Sequence, residues 1–264
     1  LEDEFVYYLP DNDKFFYRHQ KNSHLLVFTP SSQTTSTSSR LSKLRVSIPF
    51  HRHTFELPQV NFTSSAFCSS SYWSSAYSFY SGAWWVSTFL HNPALKSYTY
   101  YVKMDTDIYF LKQVPPLTHI LAQRGYPLIM HTAVHKKPLY DRRETACAKN
   151  IEKAAKLYEE TYNTKPVSRC FKENFISYFY GNFVIYSTAL MMSERTLKFA
   201  DFLFYNYSDG YFKHRWGDQA SVTALVCHSL NVSTNLQGDR VSFWNGRGVF
   251  FEHQKGPRIQ EVLS

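Results

Sequence analysis

Two carboxylates, Asp105 and Asp107, stand one residue apart where the run Tyr98-Thr99-Tyr100-Tyr101-Val102 gives way through Lys103-Met104. That run has the residue types of a buried or half-buried strand, and the pattern resumes at once with Ile108-Tyr109-Phe110. Acids at the end of a core strand are costly unless a cation is held there. The pair can share a hard divalent ion, Mg²⁺ or Mn²⁺, that also grips a diphosphate. The plain alternative is a turn begun by Asp105, with Asp107 solvated. Further along, Arg215-Trp216-Gly217-Asp218 gathers a guanidinium, an indole and a carboxylate into four residues. Asp218 has the chemistry of a general base and also of a helix N-cap. Arg215 suits a phosphate or a surface carboxylate, and Trp216 a sugar platform or a core. Asn182, after Gly181, suits a ligand contact or a turn. His51 and His53 flank Arg52 on a segment read as a loop; lacking a third ligand, they are read as solvent-exposed imidazoles.

Strands and helices must position these groups. Phe5 to Tyr17 reads as strand, turn and strand, while Leu25 to Thr29 and Leu44 to Ile48 read as short strands. Residues 31–40 form a Ser/Thr-rich stretch expected to be a mobile loop. Ala66 to Phe89 reads as one or two helices stopped by Asn92-Pro93. Pro115-Pro116 opens a helical stretch, Leu117 to Gln123, and Leu128 to His131 reads as a buried strand. A helix is expected from Asn150, as cap, to Tyr162, with Ile151, Ala154, Ala155 and Tyr158 on one face. Phe175 to Tyr186 is strand-like around Gly181-Asn182. Two more helices are expected, Glu194 to Asn206 with Leu197, Ala200, Leu203 and Phe204 inward, and Gln219 to Leu230 with Val222, Leu225 and Val226 inward. Strands alternating with helices predict an α/β domain with a mainly parallel central sheet flanked by helices. In such sheets the working site lies beyond the carboxyl ends of the strands, where Asp105 and Asp107 fall.

With 264 residues the chain can bury a sizeable core, and one domain over 1–264 is the default. Aromatics make up 18% of it, a share common where sugars or bases are handled. The net charge of +8 is dispersed, and its densest cluster, Lys136-Lys137 with Arg142-Arg143, is broken by Pro138 and Asp141. That argues against a nucleic-acid stripe. Cys68, Cys147, Cys170 and Cys227 contain no Cys-X-X-Cys pair, against a structural zinc site. In an oxidising lumen they would form one or two disulfides, with Cys147 and Cys170 the pair nearest in sequence. Asn61-Phe62-Thr63, Asn206-Tyr207-Ser208 and Asn231-Val232-Ser233 are acceptor sequons, which suit a secretory protein. No signal peptide or membrane span is visible and the first residue is Leu1, so the chain is expected to be a piece whose anchor lies upstream.

Together, four segments resemble glycosyltransferase family 15, the fungal-type Golgi α-1,2-mannosyltransferases. Ser81-Gly82 with His91-Asn92-Pro93-Ala94-Leu95 resembles its Ser-Gly and His-Pro-Ala-Leu segment. Tyr98-Thr99-Tyr100-Tyr101 running into Asp105-Thr106-Asp107 resembles its acidic strand, which also gives the Asp-X-Asp arrangement of nucleotide-sugar transferases. Asn182-Phe183-Val184-Ile185 resembles its Asn-Phe-Glu-Ile motif, and Arg215-Trp216-Gly217-Asp218 is identical to its Arg-Trp-Gly-Asp. Order and spacing agree over roughly residues 66 to 253.

The resemblance implies a GT-A-like fold, a GDP-mannose donor, a glycan or glycoprotein acceptor, Mn²⁺ (or Mg²⁺) and retention of anomeric configuration. It implies metal contacts from Asp107, Asp105 and His253. Asp218 and Asp105 become the candidate catalytic residues, and Tyr72, Ser81, Gly82, Asn182, Arg215 and Trp216 the candidate donor or substrate contacts. It also implies a type II membrane protein of the Golgi lumen, or a cytosolic enzyme if a virus or protist encodes it. Asp105 stands where the family has Glu, Thr106 replaces Pro, and Val184 replaces the Glu proposed as nucleophile. Trp73 falls at the spacing of the family's site tyrosine, with Tyr72 one residue away, and the N-terminal third is shortened or divergent. A valine can do no acid–base work. An active, retaining enzyme would therefore need a front-face route or another carboxylate. The competing expectations are an inactive binding or scaffold protein on the same fold, and the same fold with a different nucleotide-sugar donor.

Overall fold

The computed structural model describes residues 14, 16–20, 23–30, 49–55, 89–105, 108–117, 129–131, 134–138, 143–164, 171–172, 175–179, 183–207, 211, 216, 218–230, 242–243 and 251–253. The chain divides into two compact units, each discontinuous in sequence: Leu1–Val60 with Met104–Gly125 and Asn245–Ser264, and Asn61–Lys103 with Tyr126–Trp244.

In the first unit, strands β1 (Leu25–Pro30) and β2 (Phe50–Phe55) pair in parallel, from Leu25 opposite Phe50 to Pro30 opposite Phe55. His51 and His53 therefore lie on a strand, not on the expected loop, because the ladder with β1 takes up the backbone groups of their segment. The stretch expected to be a strand at Leu44 to Ile48 lies outside the described residues, as do residues 31–40. The 3₁₀ turn Tyr17–His19 stands where a strand is expected to end. Beside it, Phe16 stacks on Phe110 with centroids 4.5 Å apart and planes 8° from parallel. Gln20, also buried, accepts from the Leu117 amide (2.8 Å) and donates to the Pro115 carbonyl (3.2 Å). Both backbone groups follow β4 (Ile108–Phe110), which pairs antiparallel with β11 (Phe251–His253). Ile108, Phe110, Val114 and Leu117 complete this core.

In the second unit, β3 (Tyr100–Met104, of which Tyr100 to Lys103 belong here), β5 (Ile129–His131), β9 (Phe183–Ser187) and β10 (Ser242–Phe243) form one sheet in the order β10-β5-β9-β3. Strands β6 (Val134–Pro138), β7 (Phe171–Lys172) and β8 (Phe175–Phe179) form another, in the order β6-β8-β7. Pairings β1–β2 and β10–β5 are parallel; β5–β9, β6–β8, β7–β8 and β4–β11 are antiparallel. Where alternating strands and helices predict a mainly parallel sheet, the described ladders are thus mixed. The short return from β7 to β8, which pair antiparallel, leaves no room for a crossover helix. All five residues of β9 are buried, so it reads as a continuous apolar strand covered on both faces.

Helix α1 (Arg143–Tyr162) starts seven residues before the expected cap, leaving Asn150 inside it. Glu144, Ala146, Ala148 and Lys149 are good helix formers and carry the helix upstream. Ile151, Ala154, Ala155 and Tyr158 are buried along one stripe, as their spacing predicts. The helix ends where Asn163 takes the left-handed conformation (φ 47°) and Thr164 N–H donates to Glu159 O, a Schellman closure. Two turns follow β9. Helix α2 (Thr188–Met191) is capped by Ser187, and α3 (Glu194–Asp201) by Ser193. The helical path continues as a π turn, Phe202–Asn206, closed by Tyr207 N–H to Phe202 O at 3.0 Å. Ala200 and Leu203 point inward as expected, but Thr196, Phe199 and Phe202 are buried while Leu197 and Phe204 are only half-buried. Thr196 can be buried because its hydroxyl donates to Leu190 O (2.9 Å).

Helix α4 (Asp218–Leu230) is buried from Ala220 to His228. Tyr158 joins the three helical segments, with ring centroids 4.9 Å from Phe199, 5.1 Å from Phe202 and 5.2 Å from His228. Cys227 of α4 is disulfide-bonded. Cys170, needed to judge a Cys147–Cys170 pairing, is also outside them.

Candidate functional site

Strand β3 places the first acid. Tyr101 anchors it from below, buried, stacked on Tyr186 at 5.0 Å and edge-on to Phe89 at 5.3 Å. From Val102 the burial loosens, and Asp105 is half-buried at the carboxyl end, where the sequence places it. Its carbonyl accepts the Ile108 amide at 3.3 Å, which ties the start of β4 back to the end of β3. The antiparallel register then sets His253 opposite Ile108, the residue directly after Asp107. Opposed Cα atoms of such a ladder lie about 4.5–5.5 Å apart. A histidine 146 positions away in sequence from Asp107 is thereby brought beside the acidic strand end, within one unit.

Two carboxylates and an imidazole make a donor set that suits Mn²⁺. Among the described residues no group of three His, Cys, Asp or Glu side chains could hold a metal ion, and Asp107, the central member of the set, lies outside them. The backbone register is therefore what supports the fit.

In the second unit, Trp216 corrects one expectation. It is 1% exposed, stacked on Tyr207 at 5.6 Å with planes 1° apart, and met edge-on by Tyr211 at 5.5 Å. Its faces are taken by protein, so Trp216 is a core residue, not a platform for a sugar. Burial pushes the Tyr211 phenol well above its usual value, so it stays neutral and is no base. Asp218 opens α4 as its first residue, where a carboxylate favours the helix dipole. Val184 is wholly buried in β9, opposite His131 of β5. That position offers neither an acid nor access to water.

The His-Asn-Pro-Ala-Leu segment turns out to be architectural. Asn92 Oδ1 accepts the Ala94 amide (2.9 Å) and caps the 3₁₀ turn Pro93–Ser97, Leu95 is buried, and His91 Nε2 sits 2.9 Å from Asp201 Oδ1. Tyr72, Ser81, Gly82, Asn182 and Arg215 lie outside the described residues. One histidine the sequence did not single out is His24, whose Nδ1 is 2.9 Å from His51 Nε2. The parallel pairing of β1 with β2 makes that neighbour, and no local spacing could have signalled it.

The search of solved structures finds similar chains among fungal enzymes. Core-mannan synthase A from Aspergillus fumigatus, in an Mn/GDP form, superposes with a TM-score of 0.69 at 13% identity over 96% of this chain and 71% of that one. The mannosyltransferase Ktr4p from S. cerevisiae in complex with GDP gives 0.60 at 12% identity, over 86% of this chain and 64% of that one. A second Ktr4p structure gives 0.64 at 11%, over 96% and 67%. This chain has the fold of the fungal mannosyltransferases. It spans about two thirds of the length of these neighbours. No protein-family model matches the chain, and no curated protein matches its sequence. A mannosyltransferase fold is a scaffold for many chemistries, so the activity has to be argued from the residues above.

Proposed function

We propose that the chain is a divergent, metal-dependent glycosyltransferase of family 15 that moves mannose from GDP-mannose to a hydroxyl of a glycan or glycoprotein, with retention. The observation that carries this reading is the β4–β11 register, in which His253 pairs with Ile108, the residue that follows Asp107 in sequence, on a mannosyltransferase fold. The Mn/GDP form of the Aspergillus enzyme and the GDP complex of the yeast enzyme support the choice of donor and metal. In this reading Asp107, Asp105 and His253 hold Mn²⁺ or Mg²⁺, which when bound supplies positive charge for the diphosphate. The family resemblance, independently of the geometry, offers Arg215 as a phosphate contact and Asn182, Ser81, Gly82 and Tyr72 as donor or acceptor contacts.

The acceptor oxygen forms a bond to C1 of mannose as the C1–O bond to the diphosphate breaks, and the diphosphate leaves with the electron pair. With Val184 unable to act as nucleophile, attack comes from the face the leaving group vacates. Asp218 takes the acceptor's proton. The compartment we propose is the Golgi lumen, reached as a type II membrane protein anchored through sequence outside this chain; the disulfide at Cys227 supports an oxidising lumen. Among the described residues no helix is long and apolar enough to cross a membrane.

A second reading, favoured by the buried Val184, is a donor-binding protein without turnover. A thermal-shift panel of GDP-mannose, UDP-sugars and free nucleoside diphosphates, with and without Mn²⁺, followed by donor hydrolysis, separates them. Mn²⁺-dependent stabilisation by GDP-mannose with turnover is expected. Stabilisation without turnover on any mannose-ending acceptor favours the binding protein, and stabilisation by a UDP-sugar changes the donor. No stabilisation by any nucleotide overturns both readings.

A further inference from the structure

Asn206 is exposed, and it is the first residue of the sequon Asn206-Tyr207-Ser208. Such triplets occur by chance in helices and cores, where the amide cannot be reached, so placement decides whether one is usable. Asn206 ends the π turn that finishes the α3 helical path. Tyr207 then leaves helical geometry, at φ −121° and ψ 37°. The chain therefore departs from helical geometry within the sequon, at its middle residue. The middle residue is held inward, its ring stacked parallel on that of the buried Trp216. Just before the sequon, Tyr205 is 68% exposed, the largest exposure among the described large hydrophobic residues. An exposed aromatic ring offers an apolar face to the ring of a sugar. Independently, the disulfide at Cys227 fits a chain that folds in an oxidising compartment, where such modification takes place.

We propose that Asn206 is the acceptor of an N-linked oligosaccharide, whose first sugar covers Tyr205. The inference rests on the lumenal compartment argued above and is separate from the transferase activity. Asn206 Nδ2 forms a bond to C1 of the first sugar of a lipid-linked diphosphate oligosaccharide. The C1–O bond to the diphosphate breaks, the lipid diphosphate leaves with the electron pair, and the amide proton passes to solvent.

The test uses the full chain, secreted from cultured eukaryotic cells behind a cleavable leader, with Asn61→Gln and Asn231→Gln so that one sequon remains. Expected is a gel band that falls by the mass of a single glycan on peptide-N-glycosidase treatment, with conversion of Asn206 to aspartate in the peptide map. Both signals are lost in Asn206→Gln and in Ser208→Ala. An unmodified Asn206 overturns the proposal. Non-reducing peptide mapping of the same sample shows whether Cys227 is bonded: if it is, the disulfide that supports the lumenal reading stands although the glycan proposal has failed, and if it is a free thiol, that support falls as well.

Discussion

At the scale of single residues, the chemistry proposed for Asp107 and His253 and the burial of His228 lead to different experiments. If Asp107 and His253 share a metal, Asp107→Ala and His253→Ala should each abolish the Mn²⁺-dependent part of the GDP-mannose thermal shift. Donor turnover should fall roughly 10²–10³-fold, the usual effect of removing a group that stabilises developing charge. Unchanged shifts in both variants would remove the metal assignment. His228 is a histidine buried in α4, with Nε2 accepting from Arg195 Nε (3.4 Å) and its ring against Phe199. Burial, with the Arg195 charge second, lowers its pKa to about 4. The folded chain thus keeps His228 neutral while the unfolded chain protonates it near pH 6.5, so stability is full above about pH 6.5 and is lost as pH falls toward 4. Integrated over that window the loss is roughly 3 kcal/mol. Urea melts of His228→Phe at pH 7, 5 and 4 should show a much smaller decline than the parent. An equal decline would place the acid lability elsewhere. Val184→Glu, which restores the acid of the family motif, would bury an unpaired carboxylate in β9 and should destabilise by about 3 kcal/mol or more. A folded, stable variant would mean that this position opens to solvent or to a cation.

At the scale of elements, the close of α1 and the Gln20 clamp are testable joints. Asn163 is the described non-glycine residue with positive φ. Asn163→Gly should leave the midpoint of denaturation unchanged or raise it, whereas Asn163→Val should cost about 1–2 kcal/mol, the penalty of a Cβ in the left-handed region. If both variants melt alike, the Schellman closure contributes nothing. Gln20 satisfies two backbone groups after β4, so Gln20→Ala leaves a buried amide and a half-buried carbonyl without that partner, at a cost of about 1–3 kcal/mol. Since this segment directly follows the strand that pairs with β11, the same variant should weaken Mn²⁺-dependent donor binding more than Asn163→Val does.

At the scale of the whole molecule, the Cys227 disulfide is a covalent constraint. Reduction should lower stability by about 2–4 kcal/mol, read as a fall in Tm on adding a phosphine reductant. No change would mean that the bond closes a loop with little freedom to lose. The mannosyltransferase fold and about two-thirds coverage of its neighbours bound what this chain does unaided.

Local sequence determined a good deal by itself. The spacing of Ile151, Ala154, Ala155 and Tyr158 fixed which stripe of α1 is buried, because a 3.6-residue period leaves one face for a core. The Tyr98 to Val102 run fixed β3 and put Asp105 at its carboxyl end. The Arg215-Trp216-Gly217-Asp218 motif pointed to a fold that the structural neighbours share. Tertiary structure alone decided the rest. Whether Trp216 meets a sugar or a core depends on Tyr207 and Tyr211 covering its faces, and a residue type carries both options. The start of α1, seven residues ahead of Asn150, followed from helix formers outweighing a possible cap. The mixed strand directions arise from which strands meet, a choice that alternation of residue types does not encode. Above all, His253 reaches the acidic strand end only through the register of β11 on β4. Register is a property of paired backbones, and no reading along one strand contains it.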